Sequence, residues 1–162
     1  MILNMVTRAA HWLYGFVLGY GHRKLQGALI AVLLFWLTSA ALFSIGSGYF
    51  GPTEHSLVEH RAELGCGYQG EAGRTVWTAC SRVPPEYTRF QPFIYSADLI
   101  LPVLDLKQES AWTPIVSDAS GNPLPAGRLL RALMWLEILF GWGAVGYLVS
   151  LVSKLTSKDP EG

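Results

Sequence analysis

His55, Glu59 and His60 stand nearest to a catalytic pattern, in the string HSLVEH. An inverted zinc-protease motif, HxxEH, places two histidines on one helix face around a glutamate base. Here the string is one residue longer, which turns the second histidine off that face, so two solvated histidines are expected. GWGAVG echoes the dinucleotide-binding GxGxxG, but no strand precedes it and the run around it is apolar. No serine lies in a G-x-S-x-G elbow. Cys66 and Cys80 lack the CxxC spacing, and two thiolates do not complete a tetrahedral zinc site. A disulfide closing this glycine-rich hairpin is the better expectation, contributing about 3 kcal/mol on the chain-entropy account. No catalytic residue, metal ligand set or enzyme activity is assigned.

Three carboxylates are left. Glu137 is the single charge inside a long apolar run, about one and a half turns beyond Arg131. An ionisable group in such a place is a functional candidate by default. With Arg128 and Arg131 nearby, an intramembrane ion pair or a headgroup-level position is favoured over a transport role. Asp98 and Asp105 are seven residues apart, a spacing that shares a face on a continuous helix and could attract a cation or proton. Pro102 lies between them and should kink or end the helix. Asp98 is therefore expected to bond local backbone or an arginine, and Asp105 to cap the next stretch of chain.

The elements that hold these residues emerge from the hydropathy pattern. Hydrophobic residues make up 51% of the chain and charged residues 15%, well below the roughly 25% charged of soluble domains. Residues 25–50 and 128–153 are two apolar windows, each long enough for the about 20 residues that a bilayer core requires. His22, Arg23 and Lys24 bound the first, and Gly46, Gly48, Gly51 and Pro52 should stop its helix. Arg128 and Arg131 precede the core of the second; Lys154 and Lys158 come after it. Gly141, Gly143 and Gly146 give that helix a small-residue surface where another helix could approach, either a partner's or the first span of this chain. Residues 1–24 read as an interfacial segment, with Thr7 to Gly19 lying along the membrane surface. A signal peptide is disfavoured there by the long polar stretch ahead of the apolar run.

Residues 51–127 form a large loop carrying the cysteine hairpin, and a short helix at 92–104 opened by Pro92. That helix is apolar but too short to span, so it must be interfacial or re-entrant. Trp112 reads as an interface anchor. The expected fold is an all-α membrane protein with two transmembrane helices. A disulfide persists outside the cytosol, which would put the loop in the periplasm and both termini, including the polar tail 154–162, in the cytoplasm. Arg8, Arg23, Lys24, Lys154 and Lys158 agree with that orientation; Arg128 and Arg131 do not, though charge bias counts weakly beside so long a loop.

The segment FQPFIYSADLILPVLDLKQESAWTP, residues 90–114, resembles a membrane module at the C-terminal end of some uncharacterised bacterial proteins that carry pentapeptide repeats ahead of it. The likeness is carried by Phe90, Pro92, Tyr95, Ser96, Asp98, Leu101, Pro102, Asp105, Leu106, Gln108, Trp112 and Pro114. Gly19-Tyr20-Gly21-His22-Arg23 resembles the module's approach to its first helix, and Trp135 with Gly141-Trp142 resembles its second. Ala97 stands where leucine is usual, Lys24 where proline is common, and repeats are absent. The resemblance implies a bacterial inner-membrane module that works alone or beside other subunits, and it brings no activity with it.

Zero net charge and scattered arginines exclude nucleic acid as a partner. Neither span holds a histidine, against a haem or chlorophyll ligated by imidazole; no cofactor is expected, with a bound lipid or pigment left open. Two spans cannot enclose an aqueous path, and Thr38, Ser39, Ser44, Ser150 and Ser153 are too few and too near the ends to make a polar stripe. The expected role is a non-catalytic accessory subunit among membrane lipids and other membrane proteins, with a homo-oligomeric pore or signalling protein as the alternative.

Overall fold

The computed structural model describes residues 23–60, 63, 65–66, 75–80, 82, 84–118 and 120–156. The interfacial segment expected over the first residues, and the end of the polar tail, lie outside them. In chain order come helix α1 (Arg23–Ile45), a 3-10 turn (Ser47–Tyr49), strand β1 (Phe50–Pro52), helix α2 (His55–Glu59), a 3-10 turn (Trp77–Ala79), helix α3 (Pro92–Ile100), strand β2 (Trp112–Pro114) and helix α4 (Pro125–Thr156).

Two of these helices are long and apolar enough to cross a membrane: Gln26–Ile45, with 20 residues, and Pro125–Ser150, with 26. The core helix of a soluble protein would hide its leucines. Here only 22% of the first window and 11% of the second is buried, and Leu33, Leu34, Leu129 and Leu139 are exposed. The first helix stops where Gly46 meets Leu130: a Cβ at Gly46 would lie 2.5 Å from Leu130 Cδ1. Pro125 opens the last helix, where its missing N–H costs nothing.

The chain is not strictly all-α. Strands β1 and β2 pair antiparallel, Phe50 opposite Pro114 and Pro52 opposite Trp112. The ladder joins the end of the first long helix to the approach of the second, and prolines at its ends suit an edge-only, two-stranded ribbon. The short helix expected over 92–104 ends at Ile100, two residues before Pro102. The proline bars αR geometry from Leu101, which caps the helix at φ −104°, ψ 76°.

The chain divides into two compact units, Met1–Phe35 with Gly143–Gly162, and Trp36–Trp142. The described part of the first comprises the outlying lengths of α1 and α4. The second holds the core: Phe43, Phe50, Trp77, Tyr95, Leu99, Trp112 and Leu130, with Phe90 against it. Tyr95 meets Phe43 and Phe50 edge-on at centroid distances of 5.2 and 5.1 Å, and Phe50 stacks on Phe90 at 4.3 Å. Such pairs contribute about 0.5–1.5 kcal/mol each beyond the area they bury.

Candidate functional site

The segment 90–114 holds the residues that sequence alone singles out, and its chemistry is turned inward. Asp98 sits two residues from the end of α3 and is 6% exposed. Its Oδ1 accepts a hydrogen bond from the Leu106 amide at 2.7 Å; its Oδ2 accepts from the amides of Gln108 and Glu109 at 2.9 and 2.8 Å. One carboxylate thus holds the return of the chain after Pro102. That stretch has no ladder or helix of its own, so its buried amides need a side-chain acceptor. Asp98 bonds local backbone, as its setting predicts. Asp105 does not share its face: it accepts from the Lys107 amide at 3.1 Å and pairs with the Lys107 ammonium, out in the open. Lys107 holds its carboxyl below the usual aspartate range. Lys107 also takes a left-handed backbone, φ 63°, which lets the chain turn there.

Gln108 is 1% exposed and works in the opposite direction. Its Oε1 accepts from the Gln91 amide at 3.1 Å and its Nε2 donates to Arg89 O at 3.1 Å, so it pins the approach to α3. Trp112 Nε1 donates to Thr88 O at 2.8 Å, and the Tyr87 hydroxyl donates to Ala111 O. Trp112 is 3% exposed, so it is a core residue and not the interface anchor its type suggests. Burial pushes the Tyr95 phenol up, with Glu109 adding to it.

The ion pair expected between Glu137 and Arg131 or Arg128 does not form. Arg131 donates to Pro114 O at 2.6 Å and to Thr113 Oγ1 at 3.3 Å, fastening β2 to the start of α4. Arg128 is exposed. The side-chain ion pair found among the described residues joins Asp105 and Lys107. Glu137 is fully buried and accepts instead from the Ser96 hydroxyl of α3. Arg131 and Glu137 are six residues apart, which at 3.6 residues per turn sends their side chains out of α4 about 120° apart.

Gly141 admits α3 and not α1: a Cβ there would lie 2.3 Å from Ile100 O. Gly143 and Gly146 have nothing within 4 Å of a Cβ. Helix α3 is therefore lodged between the long helices, with Ser96 bonded to Trp36 O at 3.3 Å and to Glu137, Trp36 Nε1 donating to Phe93 O at 3.0 Å, and Ile100 on Gly141.

The remaining candidates stay apart. His55 and His60 are exposed, with His60 Nδ1 2.9 Å from Ser56 O. Cys66 and Cys80 form a disulfide. Among the described residues no group of three or more His, Cys, Asp or Glu is placed to hold a metal. A cleft of about 450 Å³ opens beside Asp98, between Pro102, Val103, Leu104, Asp105, Glu109 and Ser110. Ser39, one of the few polar residues of the first span, is 1% exposed and lies beside the Glu137 carboxyl. The sequence carries no signal for that place beyond a small polar residue in an apolar helix. No protein-family model, no curated protein and no solved structure matches this chain.

Proposed function

We propose that this chain is a small integral membrane subunit with a structural, non-catalytic role, held in a bacterial inner membrane with its central loop on the periplasmic side. The observation that carries this reading is the inward use of its polar side chains. Asp98, Gln108, Trp112 and Arg131 each bond the chain's own backbone, which builds a rigid segment and, among the described residues, turns these groups away from a shared reaction centre. What the surface offers is apolar. Trp135, Leu139 and Trp142, four and three residues apart on one face of α4, are 59%, 69% and 60% exposed. That stripe suits acyl chains or the spans of larger membrane proteins.

The orientation rests on the disulfide, which persists in an oxidising compartment. Arg131 to Gly141 is ten residues of helix, about 15 Å at 1.5 Å per residue. With Arg131 at the outer boundary, the end of α3 reaches about half the depth of a roughly 30 Å core, the placement of a re-entrant segment. The likeness of residues 90–114 to the bacterial membrane module agrees with this architecture.

Extraction in mild detergent, native electrophoresis and mass spectrometry test the proposal. Migration within a complex of different proteins supports it. Migration as multiples of this chain alone refutes the accessory role in favour of the homo-oligomer, with conductance in liposomes as the next measurement. A thiol reagent that cannot cross membranes should label the reduced loop cysteines in sealed cells; failure reverses the topology.

A further inference from the structure

Glu137 is a buried acid without a counter-charge. It lies six residues beyond Arg131, about 9 Å along the helix, and no charged residue occurs between it and Lys154. Arg131 is engaged by Pro114 and Thr113. The contrast with Asp98 is direct: three backbone amides compensate that carboxylate, whereas one hydroxyl reaches Glu137 Oε1 and its Oε2 has no hydrogen bond. A bare carboxylate in such surroundings is strongly disfavoured. A cation, or a proton, removes that cost.

Ligand number decides between the two. A hard divalent cation takes six or more oxygens; among the described residues the Glu137 carboxyl has the hydroxyls of Ser96 and Ser39 beside it, and Trp36 O already accepts the Ala40 N–H of its own helix. A proton needs one acceptor. Glu137 then donates to Ser96, Ser96 donates to Trp36 O, and the Ser39 hydroxyl, buried and otherwise unbonded, is free to donate to the remaining carboxyl oxygen. We propose that Glu137 is a proton-binding site, in which the glutamic acid, Ser96 and Ser39 join α4, α3 and α1. Loss of the proton strands a charge between the three helices and loosens α3. The ionisable side chain that Glu137 acts on across the helices is Tyr95, next to Ser96 on α3; Asp98 is turned to the amides of Leu106, Gln108 and Glu109, Arg131 of α4 to Pro114 O, and the ionisable residues of α1, Arg23 and Lys24, come 15 or more residues before Ser39.

The test uses the whole chain in lipid nanodiscs at neutral pH. A protonated carboxyl in apolar surroundings adds across a C=N bond of dicyclohexylcarbodiimide, its proton going to nitrogen and its oxygen to carbon, and the adduct rearranges to a stable N-acylurea. Mass spectrometry should find its adduct on Glu137, and labelling should fall as pH rises. The infrared difference between wild type and Glu137→Gln should show a carboxylic-acid C=O band, displaced in Ser96→Ala. The proposal is overturned by a carboxylate band pair in that difference, by an unmodified Glu137 that becomes reactive on unfolding in acid, or by labelling that sodium but not choline suppresses at constant pH, which would assign the site to a metal cation. The labelling arm needs no variant, so it stands if Glu137→Gln fails to fold.

Discussion

Replacing Asp98 by alanine should open the stretch beyond α3. Three amides lose their acceptor, those of Leu106, Gln108 and Glu109. Gln108 is buried, and a hydrogen bond to a charged group there contributes about 1.5–3 kcal/mol. Leu106 and Glu109 are exposed residues whose amides can regain water, so each adds about 0.5–1.5 kcal/mol. The substitution also removes the carboxylate's own desolvation penalty, which pulls the total to about 3 kcal/mol. That is roughly a hundredfold in a local opening equilibrium. Hydrogen–deuterium exchange, resolved by fragmentation across residues 101–111 in nanodiscs, reads it directly. Asp98→Asn sharpens the test. Its one carbonyl oxygen can serve Gln108 and Glu109 while its amide group opposes the Leu106 N–H, so Leu106 alone should exchange faster. If all three amides exchange at wild-type rates in both variants, the carboxylate is not what holds the segment.

Other perturbations separate the remaining contacts. Gly141→Val drives a side chain into Ile100 O and should lower stability by about 1–3 kcal/mol, while Gly143→Ala, with open space around it, should raise it by up to about 1 kcal/mol; thermal unfolding in detergent compares them. Arg131→Met removes the bond to Pro114 O and should cost about 1.5–3 kcal/mol, seen as faster exchange of the β1–β2 amides. Loss of part of its hydration, with Asp98 and Asp105 nearby, raises the Glu109 carboxyl above its ordinary range. The native state then holds this proton more tightly than the unfolded chain, so its stabilising effect is complete below the unfolded value of about 4.3 and is lost as pH rises through the folded one. Glu109→Gln should flatten that decline, and thermal midpoints measured across the acid-to-neutral range check it.

Much of the architecture is legible in the sequence because it rests on composition and local signals. The two apolar windows, the glycines after Ile45, Pro92 at the start of α3 and the cysteine pair each act within a few residues of themselves. The β1–β2 ribbon is not, since three-residue strands made of Phe-Gly-Pro and Trp-Thr-Pro carry neither alternation nor length. The partner of Glu137 is hidden for a similar reason. Proximity along α4 favours the arginines, but partners across helices depend on packing, and Ser96 lies 41 residues away in sequence. Gly141 does signal a contact surface, yet nothing local says that a nine-residue helix, and not the first span, arrives there.

The segment 90–114 shows why a carboxylate, an amide and an indole at suggestive spacing need not form a reaction centre. Backbone groups that are taken from water must find partners, and a stretch that is neither helix nor sheet supplies few of them from itself. From Leu101 to Ala111 the chain turns back along α3 without a ladder. Side chains reach across to meet its donors and acceptors, Asp98 for the amides of Leu106, Gln108 and Glu109 and Tyr87 for Ala111, while Gln108 reaches back to Gln91 and Arg89 at the approach to α3. The residue types are those of an active site because both tasks require hydrogen-bonding groups in fixed positions within apolar surroundings. What distinguishes the two is where the bonds end. Asp98 points its oxygens at backbone nitrogens and is satisfied by them; Glu137 has one oxygen left over, and this surplus makes it the place to look for a ligand.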